Sequence, residues 1–279
     1  MVRLGRLVTT LRNWGISEFV LEVLGKAGLL RIAYQTYEKA FAAKRTDAQG
    51  RVEADGLPLP PSELRILVAG SPDVDGFLRF GQSMFQILLG TMQKEGAAVE
   101  SFSAVLDFGC GCGRVLRHWR AVQGPQLYGV DCNARLIGWC RENLPFAEFS
   151  TNRSYPPLPY RDQSFDWVYA VSVFTHMSEA LQLIWMKELK RIVRPGGYVL
   201  FTTHGESFKE KLTPLERETF TAGNLVVRYE GASGTNLCRA YHPEAYVRQR
   251  LTDGWTVKAM IPGGTLGALP QDLYLLRLD

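Results

Sequence analysis

Residues 104–114 read Ala104-Val105-Leu106-Asp107-Phe108-Gly109-Cys110-Gly111-Cys112-Gly113-Arg114. The short apolar run ending in Asp107 predicts a buried strand, and glycines on alternate positions then predict a turn before a helical Val115 to Val122. Glycines suit such a turn because it visits backbone angles that a Cβ disfavours and lets a bulky ligand approach the main chain. A helix opening after Gly113 would turn free N–H groups and a partial positive charge toward that ligand.

Working outward, Gln126 to Val130 predicts the next strand. It ends in Asp131, 24 positions beyond Asp107, where a carboxylate can accept from both hydroxyls of a ribose. In a nicotinamide site the glycines would receive a pyrophosphate, which an acidic side chain two residues earlier would repel. Asp107 suits a cationic ligand better. At these residues the chain resembles the class I S-adenosylmethionine-dependent methyltransferases, whose first motif is an acidic residue followed by Gly-x-Gly-x-Gly. The resemblance implies S-adenosylmethionine as cofactor and S-adenosylhomocysteine as product, held by Asp107, Gly109, Cys110, Gly111, Gly113, Asp131 and Cys132.

Further motifs follow in the same order. A short strand near Ala147 to Ser150 leads to Thr151 and Asn152, where the family usually has an acidic residue on the adenine amino group; the Asn152 amide can accept from that group and donate to a ring nitrogen. The segment from Leu158 to Ala170, LPYRDQSFDWVYA, is similar to the fourth-strand motif of methyltransferases related to ubiquinone biosynthesis. Backbone carbonyls from Ala170 to Ser172 would then face the methionine part of the cofactor. A helix over Glu179 to Val193 and a strand over Tyr198 to Thr203 are joined within ELKRIVRPGGYVLF at residues 188–201, similar to another family hallmark. Helix Pro243 to Leu251 and strands Trp255 to Ile261 and Gln271 to Leu278 complete the expectation. It is an α/β, Rossmann-like sheet of seven strands in the order 3-2-1-4-5-7-6, the last antiparallel, with helices on both faces. From Leu64 onward the chain is similar to bacterial small-molecule methyltransferases, a likeness that fixes no substrate.

Residues 1–62 read as a helical arm and linker, with amphipathic stretches at Ile16 to Leu24 and Leu29 to Ala43 and a Gly- and Pro-rich run at 46–62. They could pack on the body, on a second subunit or on a membrane surface. Residues 63–279 form the methyltransferase domain. Leu64 to Ala69 fits strand or short helix, and Ser71-Pro72-Asp73 signals the start of a helix with Phe77, Phe80, Met84, Ile87 and Leu88 on one face. Its Arg79, Phe80 and Gly81 are candidates to cover the cofactor. Residues 204–242 interrupt the helix and strand alternation, with a helix at Lys209 to Thr221 and β-rich segments at Asn224 to Tyr229 and Asn236 to Tyr241. They read as a substrate lid, or else as a dimer surface.

The chain has 279 residues, 46% of them hydrophobic, with a net charge of +4. Lys and Arg are dispersed among Asp and Glu, so charge does not indicate nucleic acid. Five cysteines, an odd number, suit thiols in a reducing cytoplasm. The Cys110-x-Cys112 pair has no second pair or His cluster, so no metal is expected. No apolar run reaches the roughly 18 residues of a membrane span, and Met1 to Thr10 lacks the pattern of a cleaved leader.

A sulfonium methyl is already electrophilic, so the protein must chiefly exclude water and align the acceptor. For a hydroxyl acceptor a general base helps, and His suits that task near neutrality. His176 follows the fourth strand and His204 the fifth, making them the base candidates, whereas His118 reads as structural. Phe80, His176, Glu206, Tyr241 and His242 are the candidates for contact with a small-molecule acceptor, most simply a hydroxyl of a natural product or saccharide. N- or C-methylation and a catalytically silent cofactor-binding protein remain alternatives. An aminopropyl transferase would want an acidic pair where Thr175 and His176 stand.

Overall fold

The computed structural model describes residues 55–279 except 266 and 268, together with 23–25, 28–30, 32–34 and 36. Strand β1 (Ala104–Phe108) is buried at every position. It lies between β2 (Gln126–Asp131) and β4 (Phe165–Ala170), parallel to both, and a strand covered on both faces reads as an unbroken apolar run. With β3 (Glu148–Thr151), β5 (Val193–Thr203), β8 (Thr256–Ile261) and β9 (Asp272–Arg277) the sheet runs β3-β2-β1-β4-β5-β9-β8. Only β9 is antiparallel to its neighbours β5 and β8, which is the expected order and direction.

Alternation along the strands fills two cores. In β4 and β5, Val168, Ala170, Val199 and Phe201 enter one with Trp185 and Leu189 of the helix α4 (Glu179–Ile192). Trp167, Tyr169 and Leu200 enter the other with Met84 and Leu88 of the helix α2 (Val74–Lys94). Each such large apolar side chain contributes about 1.5–3 kcal/mol by leaving water.

Several expected boundaries move for local reasons. Leu64 to Ala69 belongs to a helix, α1 (Ser62–Ala69). Helix α2 is capped by Asp73, whose side chain accepts from the Gly76 N–H, so Pro72 precedes the cap. After the glycine loop there is no α-helix but a 3₁₀ segment, Leu116–Ala121. Gly113 at φ +72° precedes its start and Gly124 at φ +115° follows its end, and between them the chain makes tight i to i+3 turns after a single i to i+4 bond from the Arg117 N–H to the Gly113 carbonyl. The expected dipole contribution from a long helix is therefore absent there. Strand β5 begins at Val193, so the Pro195-Gly196-Gly197 run is part of the strand, where the Gly196 N–H donates to the Leu278 carbonyl. The helix expected at Pro243 to Leu251 is a short α6 (Glu244–Tyr246) running into a π-turn, Val247–Leu251.

The segment after β5 has its own small core of Phe208, Leu212, Phe220, Val226 and Tyr241. Pro214 divides its expected helix into a 3₁₀ turn, Glu206–Lys211, and α5 (Pro214–Thr221), the latter started by a Thr213–Glu216 capping box. Strands β6 (Val226–Arg228) and β7 (Arg239–Tyr241) form a separate two-stranded ribbon, tied to the main sheet where His242 N–H donates to the His204 carbonyl at 2.8 Å. Of the N-terminal arm, Leu30 and Tyr34 pack on Ala232 and Leu237 of this segment, with Leu24 against them; of the expected arm helices, residues 16–22, 31, 35 and 37–43 lie outside the described ones. Asp55, in the expected linker, pairs with the buried Arg117 at 2.8 Å and anchors that stretch to the 3₁₀ segment.

Candidate active site

A cavity of about 490 Å³ opens at the carboxyl ends of β1, β2 and β4, the side on which open α/β sheets take ligands. Its floor is the glycine loop. Gly109 and Cys110 N–H groups both donate to the Val130 carbonyl, at 2.8 and 2.9 Å. Gly109 has φ +81°, and a Cβ there would stand 2.4 Å from Val173 Cγ2; at Gly111, φ +59°, it would stand 2.7 Å from Val68 Cγ2. The space beside these glycines is thus filled by Val173 and Val68, both wall residues of the cavity. The glycines serve the left-handed turn and its packing, and Gly109 and Gly111 also line the cavity.

Asp131 closes β2 and receives the Gly111 N–H on Oδ2 at 3.0 Å and the Asn133 N–H on Oδ1 at 2.8 Å. Burial raises its pKa and these two donors work against the rise; each oxygen keeps capacity for another donor. Asp107 has no such partner on its backbone side. Burial pushes its carboxyl up to about 8 and the nearby Asp131 charge adds to the rise, while the Tyr169 hydroxyl and the Arg114 charge oppose it. Arg114 is itself lowered to about 10 by burial, and its Nε has no hydrogen-bond partner among the described residues.

Of the expected cofactor residues, Asp107, Gly109, Cys110, Gly111, Asp131, Cys132, Asn152 and Ser172 line the cavity. Gly113 and Ala170 do not. Gly113 turns toward Leu144, and Ala170 is buried in the core while Val171 and Ser172 reach the cavity. Ser172 holds φ +59°, a conformation uncommon outside glycine; its N–H donates to Thr202 Oγ1 at 2.8 Å and its hydroxyl to Gln271 Oε1 at 3.0 Å.

His176 also lines the cavity, on a 3₁₀ turn after β4, Phe174–His176. Its Nδ1 lies 2.8 Å from the Cys238 carbonyl. A carbonyl only accepts, so in the neutral ring Nδ1 carries the proton and Nε2 keeps a lone pair. Burial, with the Arg239 charge, lowers its pKa to about 4, so the ring is neutral at pH 7.

The other acceptor-side candidates lie elsewhere. His204 is buried against Phe208 and Tyr241, with Nδ1 on the Ala240 carbonyl at 3.1 Å; β7 covers it, and it is not a wall residue. Tyr241 is buried beneath Arg228, and His242 meets Gln182 in the interior. Glu206 is exposed and faces Lys209. Phe80 stacks beneath the Arg114 guanidinium, 3.9 Å from the ring centre, without reaching the cavity. Position after a strand edge identifies the right end of the sheet, but not which side chains a later ribbon will cover.

The walls missed from the sequence are mainly apolar: Leu67 and Val68 of α1, Met177, and Leu181 and Trp185 of α4. Gly234 to Asn236 form the facing wall, and the Asn236 amide donates to the Leu67 carbonyl, so α1 and the segment after β5 meet over the cavity. The available signal was Val68, which lies in the VAG run from Val68 to Gly70. No group of three or more His, Cys, Asp or Glu able to hold a metal occurs among the described residues, and no helix among them is long and apolar enough to cross a membrane.

A strand-end carboxylate gripping a glycine loop below a cavity on a 3-2-1-4-5 sheet with an antiparallel β9 defines the class I methyltransferase architecture. Comparison with known proteins agrees. Residues 106–201 match the family described as "Methyltransferase domain". Over 107 residues the chain is 36% identical to a malonyl-[acyl-carrier protein] O-methyltransferase of Erwinia pyrifoliae, covering 38% of this chain and 39% of that one. Over 149 residues it is 30% identical to phthiotriol/phenolphthiotriol dimycocerosates methyltransferase 1 of Mycobacterium ulcerans, covering 51% and 49%. The matches thus span less than half of either relative's length. Among solved structures, a SAM-dependent methyltransferase from Methanosarcina mazei aligns with a TM-score of 0.51 at 18% identity, over 67% of this chain and 96% of that one. Magnesium protoporphyrin IX methyltransferase from Synechocystis PCC 6803, crystallised with bound SAH, aligns at 0.50 and 14% over 94% and 99%; both likenesses concern the fold. The chain thus carries a methyltransferase domain over residues 106–201 on the fold of the class I S-adenosylmethionine-dependent methyltransferases.

Proposed function

We propose that this protein transfers the methyl group of S-adenosylmethionine to an oxygen of a small molecule, a hydroxyl of a natural product or saccharide, with His176 accepting the proton. The observation that carries the reading is Asp131, held by Gly111 and Asn133 N–H groups at the rim of a cavity that also contains the buried carboxyl of Asp107. These residues fit the cofactor: Asp131 retains acceptor sites for two ribose hydroxyls, Asn152 matches an adenine edge, and Asp107 with the orphaned Arg114 Nε suits a cationic amino acid end. The bound cofactor supplies an electrophilic methyl on a positively charged sulfur. The apolar wall of Val68, Met177, Leu181 and Trp185 excludes water, and the neutral His176 ring offers Nε2 as the proton acceptor when the acceptor oxygen bonds to the methyl carbon and the carbon–sulfur electron pair stays on sulfur.

The segment 204–242 acts in this reading as the substrate wall, with residues 1–62 as an arm on it. The five free thiols accord with a reducing cytoplasm, and a homodimer is compatible with the arm. An amine or carbon acceptor needs the same cofactor site, and a silent cofactor-binding protein would keep it too. Isothermal calorimetry with S-adenosylmethionine and S-adenosylhomocysteine tests the core of the proposal. Hydrogen bonds to a charged group are worth about 1.5–3 kcal/mol each, so Asp131→Ala should weaken both ligands by roughly 10² to 10⁴-fold. Absence of binding by the wild type, or full affinity in the variant, refutes it.

A further inference from the structure

The turn that carries His176 is one 3₁₀ turn of three residues, too short to hold its shape alone. Two sets of contacts hold it. From the segment after β5, the Cys238 carbonyl takes His176 Nδ1–H at 2.8 Å, the Gly234 N–H reaches the His176 carbonyl at 2.8 Å, and Ser233 Oγ takes the Ser178 N–H at 2.8 Å. From beneath, Gln182 of α4 is fully buried, and its Nε2 donates to the Met177 carbonyl at 3.0 Å and the Phe174 carbonyl at 3.4 Å. These two carbonyls bracket Thr175 and His176.

With its nitrogen committed to two carbonyls, Gln182 presents Oε1 to His242 Nε2 at 3.1 Å. His242 is completely buried, and burial lowers its pKa to about 3, so the ring is neutral and Nε2 carries the donated proton. Its Nδ1 has no partner among the described residues. A leucine would occupy the Gln182 position at no desolvation cost, whereas an amide there is tolerated because both its nitrogen and its oxygen find partners. His242 directly follows β7, so the same chain that orients the ring of His176 through Cys238 also supports its turn through Gln182.

Resting on the reading of His176 as the proton acceptor, we infer that Gln182, braced by His242, is a positioning residue that holds the His176 turn so that Nδ1 stays on Cys238 and Nε2 is left for the acceptor. The contribution is orientational; Gln182 is not among the residues that line the cavity. Four His residues in the chain make ring-nitrogen NMR tractable on the full-length protein, with His176 assigned by the signals lost in His176→Gln. In the wild type His176 should show a single tautomer protonated at Nδ1 and an apparent pKa near 4. In Gln182→Leu the tautomers should mix and the pKa should rise by at least one unit toward the ordinary value of about 6.5, as the turn loosens and admits water. S-adenosylhomocysteine affinity by calorimetry should change less than threefold. His242→Phe, which keeps the ring volume and removes the donor, should move His176 in the same direction by a smaller amount, and it serves as the test if Gln182→Leu does not fold. An unchanged tautomer and pKa in the folded variants overturn the inference. Failure of the wild type to bind S-adenosylhomocysteine would instead overturn the functional reading, leaving the His176 spectra as an independent result.

Discussion

Asp107 makes cofactor affinity depend on pH in a way that one substitution isolates. Its carboxyl is buried and pushed up to about 8, so at pH 7 only about one molecule in ten carries the charge before ligand arrives. A cationic ligand beside it favours the ionised form and draws the pKa down, so binding near pH 7 releases close to one proton. Below pH 8 affinity therefore rises with pH, by up to about tenfold per unit and about 100-fold between pH 5.5 and 7.5, and levels off above 8. In Asp107→Asn that slope should vanish, while contributions from Asp131 and from the ligand's own amino group remain and cancel in the comparison. The stability of the free protein should move oppositely. A carboxyl whose pKa is raised on folding stabilises the fold only below its unfolded pKa, and that contribution is lost as pH rises through about 8. The asparagine variant should thus melt higher than the wild type at pH 8.5, with little difference at pH 4, even though it binds ligand more weakly. Calorimetry of S-adenosylmethionine in buffers of low and high ionisation enthalpy reads the released proton, and scanning calorimetry reads the melting point. Equal pH slopes in the two proteins, or no proton release at pH 7, would refute the assignment of Asp107 as the carboxyl that charges on binding.

Two further outcomes follow from the geometry. A Cβ at Gly81 would lie 2.0 Å from the Arg114 carbonyl oxygen and 2.9 Å from His118 Nε2; Gly81→Ala should therefore cost about 1–3 kcal/mol in urea unfolding, and a change below 0.5 kcal/mol would show that α2 shifts freely over the loop. For the histidines, His176→Ala should lower turnover of a hydroxyl acceptor far more than cofactor affinity, whereas His204→Phe, buried under β7, should spare turnover and lower stability by about 1–3 kcal/mol for the unmet Ala240 carbonyl; the reverse ranking in steady-state kinetics would restore His204 as the base.

The contrast between those two histidines shows what the chain reveals by itself. Wherever function depends on chain order and backbone period, the linear reading suffices: the apolar run into Asp107, the next strand into Asp131, and the turn after β4 carrying Ser172 and His176 all reach the cavity because a parallel strand delivers its last residues to one sheet edge. The seven-strand order is what the resemblance to the methyltransferases implied, and the sheet has it. Where function depends on rotation about an edge or on what a distant segment covers, the reading fails. His204, Tyr241 and His242 occupy the right end of the sheet, yet the His204–Tyr241 bridge lays β7 against β5 and turns all three inward. Phe80 lies on the correct helix, but Arg114 stands between it and the cavity. The apolar wall of Val68, Met177, Leu181 and Trp185 comes from two separated stretches whose residues look like ordinary core, because for a side chain facing an apolar cavity the hydropathy is the same as for one facing another side chain. What distinguishes the site from the core in this fold is therefore its polar exceptions: a fully buried carboxyl at Asp107, a non-glycine at positive φ at Ser172, and beneath the His176 turn a buried amide at Gln182 each depart from what packing alone would select. Those exceptions are individually visible in the sequence only as residue types, and it is the cavity they surround that gives them a common purpose.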